Sequence, residues 1–365
     1  MKTIVIDARQ SGTSTGRYID KLIEYLYKLH PPHEFIILTK PHRLEYFSRL
    51  APNFKAVVSP YKEFTFDEQI AFKKQLAQLK PDLVHFGIVQ QPILYRGKTV
   101  TTMHDLTTVR FKNPAKNPVI FAVKQQIYKW VNKIAAHKSM AIITPSKYVK
   151  NDVVNFAHVS PAKITITYES ADRINEPAEP LKKLASGKPF IMYIGRPTPH
   201  KNLERLIEAF TKLQVSHPDL RLVLAGKKDL NYTRIESTVK NRGIKNVVFT
   251  GFISEGNLRW LYEHCAAYVF PSLSEGFGLP GLEAMIHGAP VASSNATCSP
   301  EIYGKAAHYF NPLDVNAMAE AINDVLTNDK LRQELIAAGY DQVKKYSWQR
   351  MAEQTLAIYE HCLSK

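Results

Sequence analysis

Ala266-Ala267-Tyr268-Val269-Phe270-Pro271-Ser272-Leu273-Ser274-Glu275-Gly276-Phe277-Gly278-Leu279-Pro280-Gly281-Leu282-Glu283-Ala284-Met285 reads as one corner of a fold. Apolar residues 266–270 form a strand, the loop carries glycines and prolines, and a helical pattern opens near Pro280 and stops at Gly288. Gly276 and Gly278 lack a Cβ, so their backbone can approach a ligand. Free N–H groups at the start of the helix, with the dipole's positive end behind them, suit a phosphate. Glu275 and Glu283 are spaced to grip different parts of one ligand, and carboxylates accept hydroxyl hydrogen bonds of the kind a ribose or hexose offers. A glycine-rich turn with solvated glutamates is the alternative.

The same unit recurs on both sides of this corner. Residues 190–194, 220–225, 247–253 and 290–293 read as strands, with a helix over 203–213 and helices from the 295–300 loop to about 346. The loop after 190–194 is Gly195-Arg196-Pro197-Thr198-Pro199-His200-Lys201-Asn202. Two prolines stiffen the chain between Arg196 and Lys201, which lowers the entropy lost when both cations close on a diphosphate. Phe252 and Ile253 are open to two readings, nucleobase wall or core.

In the N-terminal half, strands are expected at 3–7, 34–39, 56–59, 83–86, 99–103 and 140–144, with a helical pattern over 66–79. Alternation of this kind predicts parallel sheets covered on both faces, with ligands beyond the carboxyl ends of the strands. The first loop, Ser11-Gly12-Thr13-Ser14-Thr15-Gly16, precedes a helix with Ile19, Leu22, Ile23, Leu26 and Leu29 on one face. Its glycines are too far apart for a dinucleotide fingerprint. Strand 99–103 runs into His104-Asp105, an imidazole and a carboxylate where chemistry would sit.

Ser274-Glu275-Gly276-Phe277-Gly278-Leu279-Pro280, Glu283-Ala284-Met285, Gly288-Ala289-Pro290-Val291 and Pro300-Glu301 resemble the signature of retaining glycosyltransferases of family 4. The resemblance implies an α/β chain of GT-B architecture, two Rossmann-like doubly wound domains facing across a cleft. It implies an N-terminal acceptor-side domain (1–172), a linker (173–188), a nucleotide-sugar-binding domain (189–346) and a terminal helix (347–365) that crosses back. Transfer of a hexose from a nucleotide-sugar to a glycan or lipid-linked acceptor follows. Glu283 would hold the ribose, Glu275 the donor sugar, Arg196 and Lys201 the diphosphate, and Phe252 and Ile253 the base. Gly276, Phe277, Gly278 and Leu279 would line the donor, and Gly16 would lie opposite its diphosphate. His104 and Asp105 resemble the catalytic pair of mannosyltransferase-like members, which makes GDP-mannose the first donor choice and UDP-sugars the next. Ser14-Thr15 and residues 168–172 depart from the family pattern and bear on acceptor and closure geometry.

No Asp-x-Asp pair occurs, which fits fixed cations in place of a metal; no metal site and no cofactor besides the substrate are expected. Cys265, Cys298 and Cys362 fall in no metal-ligand spacing and are expected as thiols. At 365 residues the chain exceeds one growing core, and two domains are expected. Residues 1–7 reach an acid too soon for a signal peptide, so the expectation is a cytoplasmic protein. A formal charge of +15 calls for an anionic partner. No zinc-finger or RNP-type motif supports nucleic acid. Between Leu106 and Asn151 basic residues accumulate without a single Asp or Glu. Within that stretch Ile120, Val123, Ile127, Trp130, Val131 and Ile134 recur at helical spacing. They read as a packing face, opposite a polar face of Gln125, Gln126, Lys129 and Lys133. The basic stretch 110–150 is a candidate for an anionic membrane surface at the inner face of the cell membrane. Two rival functions stay open: a sugar-nucleotide epimerase of the same fold, and a non-catalytic nucleotide or polyanion binder.

Overall fold

The computed structural model describes residues 1–50, 52–111, 118–184 and 187–365. Two compact units emerge: one of Met1–Val109, Ala122–Glu169 and Ser347–Lys365, the other of Arg110–Phe121 and Ser170–Tyr346.

The N-terminal unit is built on β1 (Thr3–Asp7), β2 (Glu34–Thr39), β3 (Phe54–Val58), β4 (Leu83–Phe86), β5 (Thr99–Thr102), β6 (Ala141–Thr144) and β7 (Ile164–Ile166). Their order is β3-β2-β1-β4-β5-β6-β7, with every pairing parallel. Ile4, Val5 and Ile6 are fully buried, as a strand covered on both faces requires. Tyr18, Ile19, Leu22, Ile23 and Leu26 form the buried stripe of helix Arg17–Lys28. The terminal helix Trp348–Ser364 belongs to this unit. Its Tyr359 hydroxyl lies 2.5 Å from His85 Nδ1, and Thr102 Oγ1 lies 2.8 Å from the other ring nitrogen. Burial pushes the His85 pKa down to about 3, so the ring is a neutral core group.

The second unit carries β8 (Phe190–Ile194), β9 (Arg221–Ala225), β10 (Val247–Gly251), β11 (Ala267–Phe270), β12 (Val291–Ser294) and β13 (Ala307–Phe310) in the order β10-β9-β8-β11-β12-β13, again parallel. Leu206, Phe210 and Leu213 of helix Leu203–Ser216 bury against Ile191 and Leu222 of the sheet. In each sheet the strand order reverses beside the first strand, between β1 and β4 and between β8 and β11. A doubly wound sheet opens a ligand crevice beyond the carboxyl ends at such a point.

Three expectations need correction. β7 and β13 are strands where none was expected, the second inside a stretch read as wholly helical. β10 stops at Gly251, whose φ of +74° ends the strand before Phe252 and Ile253. Helix Pro118–Lys138 is rotated relative to the expected packing face. Tyr128, Ala135 and Ala136 meet the core, whereas Val123, Ile127 and Trp130 are each more than half exposed. The basic stretch is also thinner than its sequence suggests. Lys138 and Lys150 turn inward to the carbonyls of Pro92 and Ile164, and burial pushes the Lys138 pKa down to about 8. Lys112 and Lys116 lie outside the described residues.

Candidate active site

The second unit's candidate site grows from the loops after β8 and β11. Asn202 adopts φ +61° and is nearly fully buried. Its amide donates to the carbonyls of Pro271 (3.1 Å) and Pro312 (2.7 Å), while the Leu273 N–H donates to the His200 carbonyl at 2.7 Å. These bonds stitch residues 195–202 to residues 271–273, and they set Lys201 against Glu275, whose carboxylate accepts from the ammonium. The two expected ligand contacts, a phosphate-binding cation and a sugar-binding carboxylate, are therefore direct partners here. Both keep partial solvent access, and an ammonium has further N–H donors to offer. Arg196 is exposed and forms no ion pair among the described residues.

Glu283 sits one turn inside helix Leu279–Ile286, is 9% exposed, and accepts from the Tyr262 hydroxyl at 3.2 Å. Behind it, His287 Nδ1 donates to the Glu283 carbonyl at 2.8 Å, and His287 Nε2 accepts the Ile174 N–H at 3.1 Å. Burial lowers the His287 pKa, in keeping with the neutral tautomer those two bonds require.

Gly278 caps this helix at φ +89°, and a Cβ there would lie 2.3 Å from the Tyr303 hydroxyl oxygen. That hydroxyl donates to the Gly278 carbonyl at 2.6 Å. The glycine is thus required by its own neighbours, before any ligand is considered. Phe277 is buried with its ring 5.4 Å from that of Tyr346, so only its backbone is left for a ligand. Gly276 is buried and Leu279 half-buried at the helix start. Phe252 is 86% exposed, which removes the core reading for it, and Ile253 is half-buried.

In the N-terminal unit the loops after β1, β3, β4 and β5 line an open pocket of about 260 Å³ that includes Gln10, Gln90, His104 and Asp105. Gly16 opens the helix after the first loop, where a Cβ would fall 1.7 Å from the Gln10 carbonyl oxygen. Its role here is close packing of loop on helix. His104 and Asp105 both line the pocket, but they do not pair with each other. Asp105 Oδ1 accepts the Thr107 N–H at 2.7 Å, whereas His104 Nδ1 lies 3.2 Å from Glu169 and its Nε2 lies 3.0 Å from the Gly87 carbonyl oxygen. Burial opposes charge on this ring. The Glu169 carboxylate and the Gly87 carbonyl outweigh it, and the pKa is raised. Two acceptors facing two ring nitrogens favour the protonated ring. Glu169 is the residue that sequence reasoning missed, since a separation of 65 positions carries no spacing signal.

Comparison with known proteins places these loops in a family. Residues 15–173 match the pattern described as Glycosyltransferase Family 4, and residues 176–342 match that described as Glycosyl transferases group 1. The O-antigen chain mannosyltransferase B of Escherichia coli is 30% identical over 279 residues, 72% of this chain and 70% of that one. The chain belongs to glycosyltransferase family 4. The serotype-specific mannosyltransferase WbdA of Escherichia coli is 32% identical over 286 residues, 73% of this transferase but only 34% of that longer protein. Among solved structures, a sucrose-phosphate synthase from Thermosynechococcus elongatus superposes with a TM-score of 0.76 at 19% identity, covering 100% of both chains. The Anabaena protein HepE in complex with UDP and glucose does so at 0.75 and 14% identity, covering 99% of this transferase and 100% of that chain. These likenesses show the GT-B fold, built on the two parallel Rossmann-like sheets described above.

Proposed function

We propose that this transferase moves a hexose, mannose before others, from a nucleotide-sugar to a glycan or lipid-linked acceptor, with retention at the anomeric carbon and without a metal ion. The mannosyltransferase relatives support the sugar, and GDP-mannose is the first donor to try, with UDP-sugars next because HepE was crystallised with UDP. The observation that carries the reading is the Lys201–Glu275 pair, fixed beside the helix that starts at Leu279 and holds buried Glu283. The departing diphosphate meets Lys201 and the helix N-terminal amides, in place before charge develops, which is how electrostatic stabilisation avoids reorganisation, and the exposed Arg196 closes on it from solvent. Glu283 takes the ribose hydroxyls and Glu275 a sugar hydroxyl. Because Glu275 already receives an ammonium proton donor, we assign it to sugar positioning and favour same-face attack guided by the leaving phosphate over a covalent intermediate.

His104 and Asp105 are assigned to the sugar-handling side of the N-terminal unit. With both ring N–H groups committed, His104 acts as a fixed positive charge instead of a proton carrier. The exposed row Val123, Ile127 and Trp130, flanked by exposed Lys124 and Lys133, suits peripheral contact with an anionic membrane at its cytoplasmic face. No helix among the described residues is long and apolar enough to cross a membrane. Incubation with GDP-mannose, UDP-glucose and ADP-glucose, with products followed by NMR, tests the whole reading. A free or acceptor-linked α-hexose with release of the nucleoside diphosphate is expected. An epimerised free sugar with no transfer, or nucleotide binding with no turnover, would overturn it.

A further inference from the structure

Glu283 is assigned to the ribose, and what aims its carboxylate comes from a different helix. Tyr262 lies in helix Glu255–His264, is fully buried, and donates its hydroxyl to Glu283 Oε2 at 3.2 Å. The Tyr262 ring also stacks on His287, with centroids 5.6 Å apart and planes 15° from parallel. His287 is in turn held at both nitrogens, by the Glu283 carbonyl and by the Ile174 N–H. A carboxylate that is only 9% exposed has little water to orient it, so its direction is set by a hydrogen bond from a side chain that packing has already fixed.

The helix that carries Tyr262 is lightly rooted in its sheet. It follows β10, the strand at the edge, and of its residues only Gly256, Leu261 and Tyr262 are buried. Residues 174–179, in the stretch read as linker, supply the missing hold. The Glu179 N–H donates to the Gly256 carbonyl at 3.0 Å, Asn257 Nδ2 to the Glu179 carbonyl at 2.9 Å, and Arg259 Nη1 to the Glu176 carbonyl at 3.1 Å. Gly256 makes the approach possible, since a Cβ there would lie 2.5 Å from the Pro177 carbonyl oxygen. Ile174, at the other end of the segment, bonds His287. One segment therefore grips both the helix of Tyr262 and the ring against which Tyr262 stacks.

We propose that Tyr262 is a positioning residue for Glu283 and that residues 174–179 hold it in place, so that this segment helps to set the preference for the ribose hydroxyls of the donor. The proposal rests on the assignment of Glu283 to the ribose. The effect of Tyr262 runs through the carboxylate, whose plane its hydroxyl fixes. A carboxylate turned away from the ribose accepts fewer of its hydroxyls.

Calorimetric titration of the full chain with GDP and UDP, each beside its 2′,3′-dideoxy form, tests this. The dideoxy form keeps base and diphosphate and lacks both hydroxyls, so the ratio of the two affinities reads the ribose contact alone. The unaltered protein is expected to prefer the hydroxylated form by about tenfold or more, the scale for hydrogen bonds to a charged group. Tyr262→Phe, which removes one oxygen and keeps the ring, should cut that preference about fivefold with the dideoxy affinity unchanged, and Arg259→Ala should cut it about twofold. Arg259 is partly exposed, so its variant keeps the test open if Tyr262→Phe fails to fold. A preference unchanged in the folded variants, or equal weakening of both forms, would overturn the positioning role while the ribose assignment stands. No preference in the unaltered protein would overturn the ribose assignment and the positioning role with it.

Discussion

The loops that end β8 and β11 and those that end β1, β4 and β5 occupy equivalent places in two sheets of one design, yet they are built by opposite means. In the second unit the groups assigned to the donor are local: Arg196 and Lys201 fall in one loop, Glu275 and Glu283 lie in and just after another, and Asn202 joins the two through Pro271. In the N-terminal unit His104 depends on Glu169. The proposed anion-receiving site is encoded in short motifs, whereas the surroundings of His104 are assembled by topology from residues far apart in sequence.

The contrast breaks first at Lys201. Lys201→Ala is expected to lower sugar-nucleotide turnover by ~10²–10³-fold, the scale for losing one preorganised donor, in a steady-state assay. Arg196→Ala, which removes an exposed group, should cost about tenfold. Equal losses would erase the distinction between a fixed and a free cation.

Glu169→Gln tests whether the distant carboxylate sets the state of His104. Its removal takes away the largest of the influences that raise the His104 pKa, leaving the Gly87 carbonyl and Asp105, so the protonated ring is lost at lower pH and the alkaline limb of the turnover profile moves to lower pH. A profile that keeps its limb while activity falls would make Glu169 merely structural.

Stability distinguishes the two regions more gently. Gly278→Ala forces a Cβ toward Tyr303 and an L residue into positive φ, at a cost of about 1–3 kcal/mol, and Tyr303→Phe should recover part of it in urea unfolding. The smallest effect concerns His85. Its folded pKa lies near 3, below the unfolded value of about 6.5, so its contribution is complete above about pH 6.5 and declines as pH falls toward 3. His104 has the opposite sign: its raised pKa favours the fold below about pH 6.5, and that gain fades as pH rises through the folded value. Urea midpoints should lose ~1 kcal/mol of stability for the first pH unit below 6.5 on account of His85, and His85→Gln should flatten that slope.

How far the sequence carried follows the same division. Central strands such as β1, β8 and β11 are apolar throughout because helices cover both faces, and they stand out as runs. β7 and β13 are edge strands, one three residues long with exposed Thr165, the other carrying half-buried His308 and Tyr309, so neither shows such a run. The helix Pro118–Lys138 shows its apolar residues plainly, but periodicity does not say which stripe faces inward, and the core took Tyr128, Ala135 and Ala136. The glycine loop's residue types were readable, while the reason for Gly278 was not, since Tyr303 lies 25 positions away. Glu169 gave no motif at all.

The central claim is that Lys201, held on Glu275, and the free cation Arg196 receive a nucleoside diphosphate without help from a metal. Calorimetric titration of GDP, with UDP beside it, into the full chain in excess EDTA measures this directly. The account predicts tight binding of at least one of them that survives the chelator and weakens at least tenfold in Lys201→Ala. Binding abolished by EDTA and restored by magnesium, or unchanged in Lys201→Ala, would contradict it.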